Sequence, residues 1–234
     1  VGAVFHVKIC GVTTPEDARL VAAAGADAIG FNFVAGSPRR LDPAAARAVV
    51  AAVPAGVLRV GVFAGMGAAE IRGVVESAAL DAVQLHGHLV GTGPAVDPPE
   101  LCALLVGVPV IRAVRLGADG LAEARRWIAT ARGHGAGPVM ALVDALAAPG
   151  AAAGALGGTG AVVDWRAFVA AGPLDLPVAL AGGLTAENVA AAIRATGVVA
   201  VDVASGVESA PGRKDLEKVR AFVAAARGTG LAGG

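Results

Sequence analysis

Two residues able to carry protons, Cys10 and Asp144, stand at the ends of apolar runs, and two charges, Lys8 and Asp202, lie inside such runs. Side chains on an extended run alternate between its faces. Val7 and Ile9 therefore share one face, and His6, Lys8 and Cys10 the other. The wholly apolar face is the one that can pack under helices, which turns Lys8 and Cys10 inward. The same rule turns Gln84 and His86 inward on a fourth run and Asp202 inward on an eighth, with Asp144 just past the sixth. A core built for stability alone does not select such residues. Buried charges persist as pairs, so Lys8 with Asp202 also fits a structural ion pair. A thiol and a carboxyl at the C-terminal ends of strands are more suggestive, because in a parallel barrel that face holds the catalytic groups.

Small-residue loops follow the last two runs: Ala181-Gly182-Gly183-Leu184-Thr185 and Ala204-Ser205-Gly206-Val207-Glu208. Glycine lets backbone N–H groups approach an anion closely, and a helix N-terminus behind the loop adds partial positive charge, so no lysine is required. Gly182, Gly183, Ser205 and Gly206 are thus candidate phosphate ligands. Gly157-Gly158-Thr159-Gly160 offers a third loop, in which Gly158, Thr159 and Gly160 could close over the ligand. The chain has 34 glycines, most of which must serve turns, so one Gly pair says little. Three such loops at strand ends say much more, and they point to a small phosphorylated ligand.

The elements that must position these residues can be read from the rhythm of the chain. Short apolar runs alternate with longer Ala-rich segments of helical period, which favours parallel strands with helices outside them. The strands are expected at Val4–Ile9, Ala28–Phe33, Leu58–Phe63, Ala82–Leu85, Val108–Ile111, Val139–Val143, Val178–Ala181 and Ala200–Val203. Thr14-Pro15-Glu16-Asp17 opens the first helix: Thr14 can cap, Pro15 needs no amide donor, and acids suit a first turn. Eight such units in 234 residues give an α/β chain folded as one (β/α)8 TIM barrel over residues 1–227, with the site at its C-terminal face and a frayed, flexible tail at 228–234. An open doubly wound sheet is the rival, but no GxGxxG follows the first strand, where a dinucleotide fold would place it.

Composition narrows the function further. Aromatic residues make up only 3% of a chain that is 56% hydrophobic, so the core must be aliphatic. Nineteen basic and nineteen acidic residues cancel and form no basic patch, which argues against a nucleic-acid partner. Apolar runs are broken before membrane-spanning length and no signal-like leader opens the sequence, so a soluble cytoplasmic protein with no membrane association is expected. Cys10 and Cys102 lack any CxxC-type partner, which makes a disulfide improbable. The four histidines, His6, His86, His88 and His134, do not supply the converging set that a metal-dependent epimerase needs, so no metal is expected.

From Lys8 to Arg227 the chain resembles the phosphoribosylanthranilate isomerase family of tryptophan biosynthesis. The likeness is carried by Lys8-Ile9-Cys10-Gly11, Gly25-Ala26-Asp27-Ala28, Ser37-Pro38-Arg39, Val60-Gly61-Val62-Phe63 and Gln84-Leu85-His86-Gly87. It continues through the Gly157–Gly160 run, Asp164-Trp165, Gly182-Gly183-Leu184 with Asn188, and Asp202-Val203-Ala204-Ser205-Gly206-Val207-Glu208. The resemblance implies an Amadori rearrangement of an aldose ribosylamine to an aminoketose, without cofactor or metal. It implies that Cys10 is the general base and Asp144 the general acid, and that Arg39 binds the anthranilate carboxylate. Asp144 would enter the reaction protonated. Cys10 would act as thiolate, its pKa brought below the free value of about 8.5 by a cation or a helix dipole, with Lys8 and the first helix as candidates. Arg40 is expected to face solvent. His86 is placed at the site margin, where a hydrogen-bonded structural role is the alternative, and Lys8 and Asp202 border the substrate.

The chain departs from the family in a longer loop at Gly87–Pro99 and in an Ala- and Pro-rich stretch at Ala145–Ala155 beside the acid. Other readings stand beside the first. A histidine-pathway sugar-phosphate isomerase runs the same rearrangement but has Asp at the first strand end, where this chain has Cys10. A non-catalytic phosphate-ligand-binding barrel would have no reason to keep both Cys10 and Asp144. A monomer and a homodimer are both compatible with the sequence.

Overall fold

The computed structural model describes residues 2, 4–88, 96–144 and 163–230. In chain order the elements are β1 (Val7–Cys10), α1 (Pro15–Ala23), β2 (Ala28–Asn32), α2 (Pro43–Val50), β3 (Leu58–Phe63), α3 (Ala68–Ala78), β4 (Ala82–Leu85) and α4 (Leu101–Leu104). Then follow β5 (Val110–Arg115), α5 (Ala122–Gly133), β6 (Met140–Asp144), α6 (Trp165–Ala170), β7 (Val178–Leu180), α7 (Val189–Thr196) and β8 (Ala200–Val203). A 3₁₀ turn (Ser205–Val207), a short hairpin of β9 (Glu208–Ala210) and β10 (Arg213–Lys214), and α8 (Leu216–Arg227) complete the chain. Strands β1 to β8 pair in order and all in parallel, and β8 returns to β1, closing a barrel with the helices outside.

The inward and outward faces separate as alternation requires. Ala28, Val60, Ala82, Ile111, Met140, Leu142 and Ala200 pack with one another inside the barrel. The opposite faces of the strands, such as Val7, Ile9, Ile29 and Val201, join the helices in the larger aliphatic core. Register then levels the polar residues: Lys8 lies beside Asp202 and Ala28, Cys10 beside Gly30, and Arg115 beside Asp144. Thr14 caps α1 through its hydroxyl, which accepts from the Asp17 N–H at 3.1 Å, with Pro15 in the first turn.

Several boundaries differ from expectation for local reasons. The first strand begins at Val7 rather than Val4, because the N–H groups of His6 and Val7 are both taken by the Asp27 carboxylate, at 3.2 and 2.8 Å. The fifth runs Val110–Arg115 rather than Val108–Ile111: the Val108 N–H closes a turn onto the Leu105 carbonyl, and Pro109 has no N–H for the ladder. Asp144 is the last residue of β6 rather than the first beyond it. Among its described residues the connection from β4 to β5 has one helical turn, α4, and the β9–β10 hairpin replaces what reads as loop.

One polar staple holds the outer layer together. On β5, Ile111 and Ala113 face the interior, so Arg112 points outward into the helix layer, fully buried. Its Nη1 donates to the Asp97 carboxylate at 2.9 Å, its Nη2 to the Gly87 carbonyl at 2.7 Å, and its guanidinium lies 4.8 Å from the Trp127 ring centroid on α5. Asp97 also accepts from the N–H groups of Gly65 and Gly87, while its carbonyl accepts from Trp127 Nε1 at 2.9 Å. A single buried residue, Asp97, thus ties the loop after β4 to the loop after β3 and to β5 through its carboxylate, and to α5 through its carbonyl.

Candidate active site

Strand β1 delivers Lys8 and Cys10 to the interior, as alternation requires. The Lys8 ammonium donates to Asp202 at 2.8 Å, an ion pair across the β1–β8 seam with the lysine wholly buried. Burial works against the Lys8 charge, but Asp202 and Cys10 outweigh it and hold its pKa above the ordinary lysine value. Cys10 is buried at 9% exposure. Burial pushes its thiol pKa up, Lys8 pulls it down, Asp202 adds to the rise, and Lys214 opposes it; the net direction is upward. The expected net lowering is therefore corrected: Lys8 acts in the expected sense, but desolvation dominates. Gly30 on β2 makes room for both groups, since a Cβ there would sit 2.7 Å from Cys10 Sγ and 3.0 Å from Lys8 Nζ.

Strand β6 ends on Asp144, buried at 7% exposure. The end of β4 supplies its neighbour: His86 Nε2 stands 3.6 Å from Asp144 Oδ2, beyond hydrogen-bond length. The Gln84 amide lies 3.1 Å from His86 Nδ1, fixing the ring from its other side. His86 is thus a direct neighbour of Asp144.

Arg39 is buried and Arg40 exposed, in line with the sequence. The Arg39 fork, however, is occupied: Nε and Nη2 donate to the two carboxylate oxygens of Glu208 at 2.9 and 2.7 Å. Gly11, with φ +78, lets this side chain cross the first loop, because a Cβ would strike Arg39 Cδ. Burial pushes the Glu208 carboxyl up, yet the Arg39 hydrogen bond and Lys214 outweigh it and hold it below the usual carboxylate range.

Two of the small-residue loops are described, after β7 and after β8. Gly182 and Gly183 follow β7 with positive φ, 83 and 60. Asn188 braces that loop, accepting from the Thr185 N–H at 2.8 Å and donating to the Gly183 carbonyl at 2.9 Å. Gly206 lets the loop after β8 pass against the Leu184 carbonyl, which a Cβ would strike. Among the described residues, the N–H groups of Gly183, Ser205 and Gly206 donate to no protein acceptor, as an anion-binding pair of loops requires. Gly158, Thr159 and Gly160 lie outside the described residues, as does Ala145–Ala155. Among the described residues no group of three or more His, Cys, Asp or Glu could hold a metal ion.

Residues 7–225 match the family described as N-(5'phosphoribosyl)anthranilate (PRA) isomerase. The chain belongs to this family. The PRA isomerase of Myxococcus xanthus is 44% identical over 97% of this chain and 98% of its own, and that of Acidithiobacillus ferrooxidans is 43% identical over 96% and 98%. The crystal structure of phosphoribosyl anthranilate isomerase from Thermotoga maritima superposes with a TM-score of 0.78 at 33% identity, covering 96% of this chain and 99% of that one. A second, in complex with reduced 1-(o-carboxyphenylamino)-1-deoxyribulose 5-phosphate, gives 0.74 at 32% identity over 96% and 99%.

Three residues of this cluster carry no role in the sequence reading: Gly30, Lys214, and Glu208, which stands there only as the end of a quoted stretch. Gly30 had a usable signal, since it is the inward residue of β2 level with Cys10. Glu208 and Lys214 had none in periodicity, because the strands that carry them are three and two residues long.

Proposed function

We propose that the chain converts N-(5-phosphoribosyl)anthranilate to 1-(2-carboxyphenylamino)-1-deoxyribulose 5-phosphate in tryptophan biosynthesis. The observation that carries this reading is that β1 and β6 end on Cys10 and Asp144, both facing the interior at the end of the barrel where the loops after β7 and β8 offer N–H groups that have no acceptor among the described residues. The 5-phosphate would rest on Gly182, Gly183, Ser205 and Gly206, which leaves the sugar over the strand ends. Asp144 protonates the ring oxygen as the C1–O bond breaks, and the anilino nitrogen's lone pair forms the iminium. Cys10, as thiolate, takes the proton from C2, and the electrons of that C–H bond neutralise the iminium. The resulting enolamine ketonises to the product, so the substrate's atoms are only rearranged; the proton gained by Cys10 and the one lost by Asp144 exchange through solvent, which restores the acid–base pair for the next turnover. Arg39 holds the carboxylate through Nη1, the nitrogen not given to Glu208.

Among the described residues no helix is long and apolar enough to cross a membrane. Two buried free thiols suit the reducing cytoplasm, where we place the enzyme. The test is turnover of N-(5-phosphoribosyl)anthranilate by the purified chain, beside rescue of a tryptophan auxotroph lacking this isomerase. Cys10→Ala and Asp144→Asn should each lower kcat by roughly 10²–10⁴-fold with the fold intact, as for acid–base groups. Wild-type rates in either, or no turnover by the folded wild type, would overturn it.

A further inference from the structure

We propose that Lys214 is a positioning residue for the Cys10 thiol, with the β9–β10 hairpin serving as the strap that holds its ammonium under the end of β1. The role rests on the reading of Cys10 as the base. The Lys214 ammonium is wholly buried and spends its donors on three oxygens: the Cys10 carbonyl at 2.6 Å, the Ala204 carbonyl at 3.2 Å, and Glu208 Oε1 at 2.8 Å. The first two belong to the ends of β1 and β8, neighbours across the seam that closes the barrel. One cation therefore fixes the backbone of the candidate base against the strand that leads into a phosphate loop.

The strap is anchored along its length. The Lys214 N–H donates to Asp17 on α1 at 3.1 Å, and Thr13 Oγ1 donates to the Gly212 carbonyl at 2.7 Å. The Gly212 N–H reaches Glu208, and Lys218 on α8 donates to the Glu208 carbonyl at 2.9 Å. The hairpin is thus packed against the first βα loop and cannot swing without releasing Cys10.

Its charge matters as much as its reach. The ionised groups facing Cys10 are Lys8 from β1, Asp202 from β8, Arg39 from the loop after β2, and Lys214 from β10. Lys8 and Asp202 oppose each other at the thiol, with Lys8 the stronger of the two. Arg39 and Lys214 share a single carboxylate, Glu208, so that trio keeps one positive charge in surplus. Opposite charge within a few ångströms favours the charged form of a thiol. Burial alone would hold Cys10 neutral; the surplus charge offsets part of that, and Lys214 is the member bonded to the cysteine's own backbone.

The test uses full-length protein carrying Cys102→Ala, so that Cys10 is the remaining thiol. Thiolate absorbance against pH is recorded without substrate, and kcat and KM against pH with it, for Lys214→Met, Lys214→Gln and Lys214→Arg. The two uncharged variants should move the thiol titration to higher pH by about one unit and lower kcat roughly ten-fold near neutrality, with KM changed less. Lys214→Arg, which keeps the charge, should restore most of both. Should Lys214→Met not fold, Lys214→Gln retains donors for the carbonyls and carries the test. A titration and pH–rate profile that superpose on the parent in the folded uncharged variants, with only Tm lowered, would reduce the strap to a structural staple. Failure of the proposed reaction is separately visible, because it abolishes parent turnover and leaves the substrate-free titration shift in place.

Discussion

At the scale of single residues, the site depends on what is absent at position 30 as much as on what is present at position 10. A methyl group on Gly30 would stand 2.7 Å from Cys10 Sγ, 3.0 Å from Lys8 Nζ and 3.1 Å from Cys10 Cα. Gly30→Ala should therefore displace the thiol, and kcat should fall roughly 10²-fold, the scale on which misplacing a reacting group by about an ångström is felt. The stability cost should stay near that of modest overpacking, about 1–3 kcal/mol. Steady-state kinetics beside a denaturation curve checks this; wild-type kcat in a folded Gly30→Ala protein would show that the gap is not used. The residues legible in the sequence are those whose neighbours set their direction. Cys10 and Asp144 follow from strict alternation, and Lys8 from the conflict between a charge and an apolar run. The pairing of Glu208 with Arg39 escaped because the two are far apart in sequence, and an ion pair that long in range leaves no local pattern.

At the scale of elements, the connection after β4 shows how a buried charge can hold a loop to the barrel. Among its described residues one helical turn, α4, forms before β5, and Asp97 with Arg112 ties the loop to β5. Both side chains are wholly buried, so removing one strands the other. Asp97→Ala should destabilise the protein by about 3–5 kcal/mol, the usual cost of an unpaired buried charge. It should also lower kcat, because Gly87, bonded to both Asp97 and Arg112, follows directly on His86, the neighbour of Asp144. A denaturant midpoint unchanged by the substitution would contradict the staple.

The same region predicts an alkaline limb of stability. Burial pushes the Cys102 thiol up from 9.0 to about 11, with Arg112 pulling slightly the other way. A folded thiol that ionises later than the unfolded one loses stability as the unfolded chain deprotonates, so stability should fall between about pH 9 and pH 11, by roughly 2–3 kcal/mol at most. Unfolding free energies of Cys102→Ala should fall less steeply than wild type across that window, and parallel curves would contradict the assignment. Neither effect could be read from the sequence. Arg112 stands in an apolar strand whose boundaries are moved by Pro109, and Asp97 lies in a loop with no period. The strands themselves were legible because β-branched runs between Ala-rich segments have few other places to go.

At the scale of the whole molecule, the two ends of the barrel have different work. Toward the start of the strands, Asp27 binds Arg227 at 2.6 Å and the N–H groups of His6 and Val7, and Asp81 binds the Arg59 guanidinium and N–H. These pairs are partly exposed and serve closure and register. Lys8 and Asp202 stand between that end and the chemistry, level with each other on the β1–β8 seam, and their meaning is decided by a double substitution. If the pair is only structural, replacing both by apolar residues should cost little, because well-packed hydrophobic side chains commonly match or exceed a buried ion pair. If it also serves the thiol, stability and activity must separate. Lys8→Met and Asp202→Leu alone should each lose about 3–5 kcal/mol by stranding a buried charge, and the double variant should recover most of that. Lys8 is the leading cation holding down the Cys10 pKa, while Asp202 opposes it, so the double variant loses the larger pull and the smaller push together. Its thiol should titrate higher than wild type, and its kcat near neutrality should stay depressed although its Tm has returned. Recovery of kcat along with Tm would make the seam a structural pair and leave the surplus charge of Arg39, Glu208 and Lys214 as the source of whatever thiolate the site provides.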